Sequence, residues 1–91
     1  DNVVIGHAAA QGTSGVSAGS SNVVIGRQAQ TGGFNSSVVL GKEATATASN
    51  QFVVGSSSHN AGAVTTETVT VDKTWTVKIN GVDYKIPIVA A

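Results

Sequence analysis

The chain has no cysteine, no methionine, a single proline and only four aromatic residues, Phe34, Phe52, Trp75 and Tyr84, in 91 residues. Without cysteine there is no disulfide staple, and two lone histidines give no cluster with metal-ligand spacing, so neither a metal nor a cofactor is expected. The apolar 41% is carried mainly by Val, Ile and Ala, whose buried area per residue is modest. At 9.0 kDa a lone core of such residues is marginal. Small scaffolds compensate with disulfides, metals or copies of themselves, and only the last route is left.

Charge is also scarce. Five basic and five acidic residues cancel, so no basic face exists to neutralise phosphates and nucleic acid is not an expected partner. No apolar run approaches the ~18 residues needed to cross a bilayer, so membrane insertion is not expected either. No charged-then-apolar leader precedes the first repeat. The missing initiator methionine, and a start inside that repeat, suggest a fragment or a processed product.

What the chain does have is an echo. Val3-Val4-Ile5-Gly6, Val23-Val24-Ile25-Gly26, Val38-Val39-Leu40-Gly41 and Phe52-Val53-Val54-Gly55 are each entered through a small polar residue, and their glycines recur after 20, 15 and 14 residues. A period of this size marks a coil stacked on itself. Alternation puts Val3 and Ile5 on one face of a strand and Val4 on the other; both faces are apolar, so both should be buried. The glycine permits a corner that a β-branched residue cannot make. Three places past it comes alanine (Ala9, Ala29, Ala44), as a narrow coil interior requires.

Residues 11–21, rich in Gly and Ser, lengthen the first interval and read as a loop bulging from the stack, passive in preference to a recognition loop. One place past each glycine stand His7, Arg27, Lys42 and Ser56, a weakly basic ladder read as a solvated corner ahead of a site for acidic sugar. Phe34, in the turn Gly32-Gly33-Phe34-Asn35, is either a plug folded back or an aromatic displayed for contact. Phe52 replaces the first valine in the last copy, as terminal units of repeat arrays commonly differ; it would widen or close the coil.

From Val64 the grammar changes. Residues 1–63 hold four charged side chains and 64–91 hold six. Thr68–Val71, Trp75–Ile79 and Val82–Ile86 alternate with period two and read as three strands. Asp72-Lys73 is placed to turn the first into the second, and Asn80-Gly81 is a strong hairpin signal. One face would collect Trp75, Val77, Ile79, Val82, Tyr84 and Ile86, enough to cap the open end of the coil. Pro87 sits at a strand end, where its missing N–H can be spared.

Catalytic constellations are missing from the text. Ser56 to Ser58 beside His59 lack a third orienting group, and Asp1, Glu43, Glu67, Asp72 and Asp83 are scattered without pairing. Gly32-Gly33 lacks the Lys-Ser/Thr of a phosphate loop. The chain therefore reads as non-enzymatic.

At Asn22-Val-Val-Ile-Gly-Arg-Gln-Ala and Ser37-Val-Val-Leu-Gly-Lys-Glu-Ala the chain resembles the head repeats of trimeric autotransporter adhesins. This is the YadA-like left-handed β-roll family, whose repeat runs Ser-Val-Ala-Ile-Gly-x-x-Ala-x-Ala over about 14 residues. The match covers residues 2–58, with valine where the family favours alanine. The resemblance implies a homotrimer of rolls, with Val3, Ile5, Val23, Ile25, Val38, Leu40, Phe52 and Val54 filling each roll. It implies that Val4, Val24, Val39 and Val53 face the neighbouring chains. An adhesin head would lead into a heptad-repeat stalk, and no heptad follows Ala63. Instead the stretch from Trp75 to Ile88 looks like the C-terminal hairpins that end many bacteriophage tail fibre proteins.

The expected architecture is thus all-β: a left-handed parallel β-roll trimer over residues 1–60, then a C-terminal hairpin or meander cap over 61–91. The expected role is a structural and adhesion module near the distal end of a phage tail fibre in the virion, binding a bacterial surface glycan or outer-membrane protein. The rival is the head of an adhesin on a bacterial cell surface that binds host matrix. Asn80, Asp83, Tyr84 and Lys85 at the hairpin tip and flank, and then Phe34, are the candidate ligand-binding residues.

Overall fold

The computed structural model describes residues 1–11 and 18–91; the middle of the 11–21 loop, residues 12–17, lies outside the described residues. The described chain is all-β, with no helix. Strands β1 (Val3–Ile5), β2 (Val23–Ile25), β3 (Val38–Leu40) and β4 (Phe52–Val54) form one parallel sheet in that order. Strands β5 (Lys73–Ile79) and β6 (Val82–Ile88) form a separate antiparallel pair. Repeats aligned in the sequence are aligned in space: Val24 stands opposite Val4 and Val39, and Val39 opposite Val53.

Three short residues per strand are too few to hold a sheet, so the coils are tied along two further runs. Gln28 N–H donates to His7 O and Glu43 N–H to Arg27 O, both at 2.9 Å. On another side Ser36 N–H donates to Ser20 O and Asn50 N–H to Asn35 O, both at 3.0 Å. Within these runs the chain turns through left-handed backbone at the same offsets in successive coils: Ala8, Gln28 and Glu43 at φ 58, 59 and 60°, then Ser21, Ser36 and Asn50 at φ 59, 56 and 59°. Each such non-glycine residue costs about 1–2 kcal/mol. The bonds between coils offset that cost, which is why the turn repeats in register.

Burial divides each strand in the opposite sense to that implied by the resemblance. Val24 and Val39 are fully buried and Val53 is half-buried, so the middle residue points into the coil. Val4 shares that side and is exposed because β1 is the first strand of the sheet. Val3, Ile5, Ile25, Phe52 and Val54 are exposed, and Val23, Val38 and Leu40 half-buried, so these eight do not fill the interior. The physical reason is width. Ala29 and Ala44, both fully buried, sit against the valines, and a lumen narrow enough for alanine takes one branched side chain per strand. Phe52, 69% exposed, neither widens nor closes the coil.

The small polar residue that enters each repeat also has a structural duty. Asn2 Oδ1 accepts from Asn22 N–H at 2.9 Å, Asn22 Oδ1 from Ser37 N–H at 2.8 Å, and Ser37 Oγ from Gln51 N–H at 3.2 Å. Asn22 is buried and its amide nitrogen also donates to Ala18 O at 3.0 Å and Phe34 O at 2.8 Å. Replacing it by alanine strands an amide and two carbonyls. Asn22→Ala is expected to lower unfolding stability by about 3 kcal/mol, read from denaturant melts, because unpaired buried groups cost about 1–3 kcal/mol each.

Beyond Gly55 the pattern ends in a turn where Ser56 and His59 exchange backbone hydrogen bonds at 3.0 and 3.2 Å. Residues 60–72 then run without strand pairing and with every side chain exposed. The hairpin follows, its Asn80 and Gly81 at φ 54 and 80°, both positive as a type I′ turn demands. Two expectations are corrected here. Thr68–Val71 forms no strand, and β5 and β6 pair with each other without touching the strands of the coil, so the hairpin does not cap the stack. Trp75, the largest side chain available for such a cap, is 60% exposed.

Candidate functional site

Two sheet faces carry most of the exposed large apolar side chains among the described residues. The first is the outer side of the parallel sheet, where in-register pairing sets Val3, Val23, Val38 and Phe52 in one column and Ile5, Ile25, Leu40 and Val54 in the other. No charged side chain interrupts either column. The second is one side of the hairpin. Pairing of Trp75 with Ile86, Val77 with Tyr84 and Ile79 with Val82 brings these six to one face, as their alternation requires. All but the half-buried Val77 are exposed.

A largely exposed apolar sheet face without charge is the kind of surface that proteins use for association. The outer side of the parallel sheet is made of the eight residues that the resemblance to adhesin heads places inside the roll. The signal for it was present: two apolar positions flank each inward valine, and the narrow lumen leaves no room for them.

The predicted ligand-binding residues do not converge. Tyr84 lies on the apolar side of β6 opposite Val77, while Asp83 and Lys85 fall on the other side with Lys78. Lys78 Nζ and Asp83 Oδ1 are 2.7 Å apart, an exposed ion pair of little energetic weight. Asn80 occupies the turn. Phe34 belongs to the coil stack, in a turn closed by its N–H to Thr31 O at 3.1 Å. Its ring leans over Gly32, where an added Cβ would come within 3.2 Å of ring carbon Cδ2. It is folded back and still 37% exposed, so it meets both descriptions in part.

The basic ladder is likewise uneven: His7 and Arg27 are exposed, whereas Lys42 and Ser56 are half-buried. Ser56 Oγ donates to Lys42 O at 3.1 Å, which spends that hydroxyl on joining coils. Below β4 an open cleft of about 440 Å³ lies between Val54, Ser56, Asn60, Ala61 and Val64, and none of its lining groups is titratable. Nearby, His59 Nδ1 stands 3.2 Å from Glu43 Oε2, at ion-pair distance but without the angle of a hydrogen bond. Among the described residues no group of three His, Cys, Asp or Glu converges.

Comparison of the chain with protein-family models, with curated proteins and with solved structures finds no match.

Proposed function

We infer that the chain is a non-enzymatic structural and adhesion module. It forms a left-handed β-roll that associates as a homotrimer near the distal end of a bacteriophage tail fibre and attaches the virion to a bacterial surface glycan or outer-membrane protein. The observation that carries this reading is the uninterrupted aliphatic outer face of a coil stack whose own interior is only one valine wide. Burying a half-exposed Val or Ile gains about 1 kcal/mol, and two columns of them add stabilisation of the same order as the slender interior supplies. Identical copies packed about an axis cover these columns without leaving an open edge.

The residues assigned to the interface change accordingly. Val3, Ile5, Val23, Ile25, Val38, Leu40, Phe52 and Val54 meet the other copies, while Val4, Val24, Val39 and Val53 stay within each chain. Tyr84 moves from the ligand-binding set to hairpin self-association. Asn80, Asp83 and Lys85, at the turn and on the polar side, are left to face the bacterial surface, and three such sets on one axis give avidity to weak contacts.

Two measurements test the reading. Light scattering should give about 27 kDa, three times the chain mass, and a stable 9.0 kDa species would refute the trimer. Labelled protein should bind intact bacteria and lose binding to cells stripped of surface polysaccharide or outer-membrane protein. Equal retention on bare lipid vesicles would refute surface recognition.

A further inference from the structure

The hairpin stands as a two-stranded sheet with both edges open, and such a pair is marginal in water without further strands. Immediately before it lies Thr68-Val69-Thr70-Val71, a segment with strand alternation that has no strand partner in its own chain. Register explains why. A two-residue turn at Asp72-Lys73 would set Val71 opposite Thr74 and Val69 opposite Thr76, on the polar side of the sheet. Thr70 and Thr68 would then fall beside Trp75 and Val77. A one-residue slip inverts every side chain, so this pairing is wrong in its own chain. Bringing both valines to the apolar side needs a longer turn, which removes Lys73 and Thr74 from their pairing with Ile88 and Pro87.

A segment arriving from another chain has no such constraint. Its register is free, so Val69 and Val71 can stand beside Trp75 and Val77. The two edges also differ. Pro87 has no N–H to donate, and a proline in a strand pair sits where its nitrogen faces the free edge, which blunts β6. The edge of β5 carries no proline. Reach is sufficient, since the ten residues Gly62 to Val71 extend over ~33 Å, several times the spacing between packed sheets.

We propose that the Thr68–Val71 segment of one copy adds as a third strand to the β5 edge of a second copy, each chain giving its arm to one neighbour and receiving the arm of the other. This rests on the trimeric reading and adds to it that the partner completes the hairpin sheet. The hairpin face then gains Val69 and Val71, and the arm's backbone groups gain partners.

The test uses the whole chain. Hydrogen exchange should show the amides of Thr68–Val71 slowed about 100-fold relative to an unstructured segment, because strand pairing protects them. In a sample refolded from isotope-labelled and unlabelled chains, filtered NOE spectra should show Val69 and Val71 methyls near Trp75 or Val77 protons of a different chain. The double variant V69D/V71D should abolish that protection while the coil amides of Val24 and Val39 stay protected. A trimer with freely exchanging arms, or with these contacts only within one chain, overturns strand exchange and leaves the trimer standing. A monomer overturns both.

Discussion

Gly26→Ala is expected to unfold the coil stack or lower its stability by about 3–5 kcal/mol, a large effect for the addition of one carbon. Gly26 has φ 140°, a backbone conformation that L side chains rarely adopt. A Cβ there would stand 2.5 Å from Gly41 O and 2.6 Å from Gly41 C, both backbone atoms of the next coil. Neither can swing aside as a flexible side chain would. Gly41 N–H is itself bonded to Ile25 O at 2.8 Å, so moving the next coil away breaks the ladder that holds it. Strained backbone of this kind costs about 1–3 kcal/mol and steric overpacking a similar amount. Gly62→Ala is the control, because it too has positive φ, 128°, yet has no atom within 4 Å of the added carbon. Circular dichroism melts of the two variants separate the conformational cost from the cost of close stacking. Equal melting temperatures for Gly26→Ala and Gly62→Ala would show that the coils do not stack at glycine on glycine.

The repeat, its register and its corners were legible in the text. Period alone identified Val24, Val39 and their equivalents as partners, and the alanine three places past each glycine marked a narrow interior. Which side of the strand faced inward was not legible from alternation, since Val-Val-Ile is apolar on both sides and period two is silent about direction. The width of the lumen decides it: one valine and one alanine fill the space, which forces the flanking pair outward. The hairpin turn was readable because Asn80-Gly81 carries its own backbone chemistry. The strand at Thr68–Val71 was misread because alternation was counted within the segment and not carried across Asp72-Lys73, where parity puts its valines on the polar side. Among the candidate site residues, Asp83, Tyr84 and Lys85 were grouped by proximity along the chain, and the same parity divides them between two sides of β6.

Leu40→Asp is expected to convert the proposed 27 kDa trimer to single chains and to lower the melting temperature of what remains. Leu40 lies on β3, a central strand, between Ile25 and Val54 in the outer column. It is half-buried within its own chain, so the sheet itself supplies part of its environment and other copies would supply the rest. A carboxylate placed in a covered apolar face has no cation to meet, since neither column holds a charged side chain. The cost exceeds about 3 kcal/mol per copy, repeated in each member of the assembly. Arg27→Asp changes charge by twice as much on an exposed corner of the preceding coil and should leave the mass unaltered. The released chain keeps its inward valines and alanines but loses the apolar contribution from the outer columns. Because stability and association are then one quantity, melting of the parent protein should rise with chain concentration and that of Leu40→Asp should not. If Leu40→Asp retains the parent mass, the aliphatic face is solvated in the assembly and the copies must meet elsewhere.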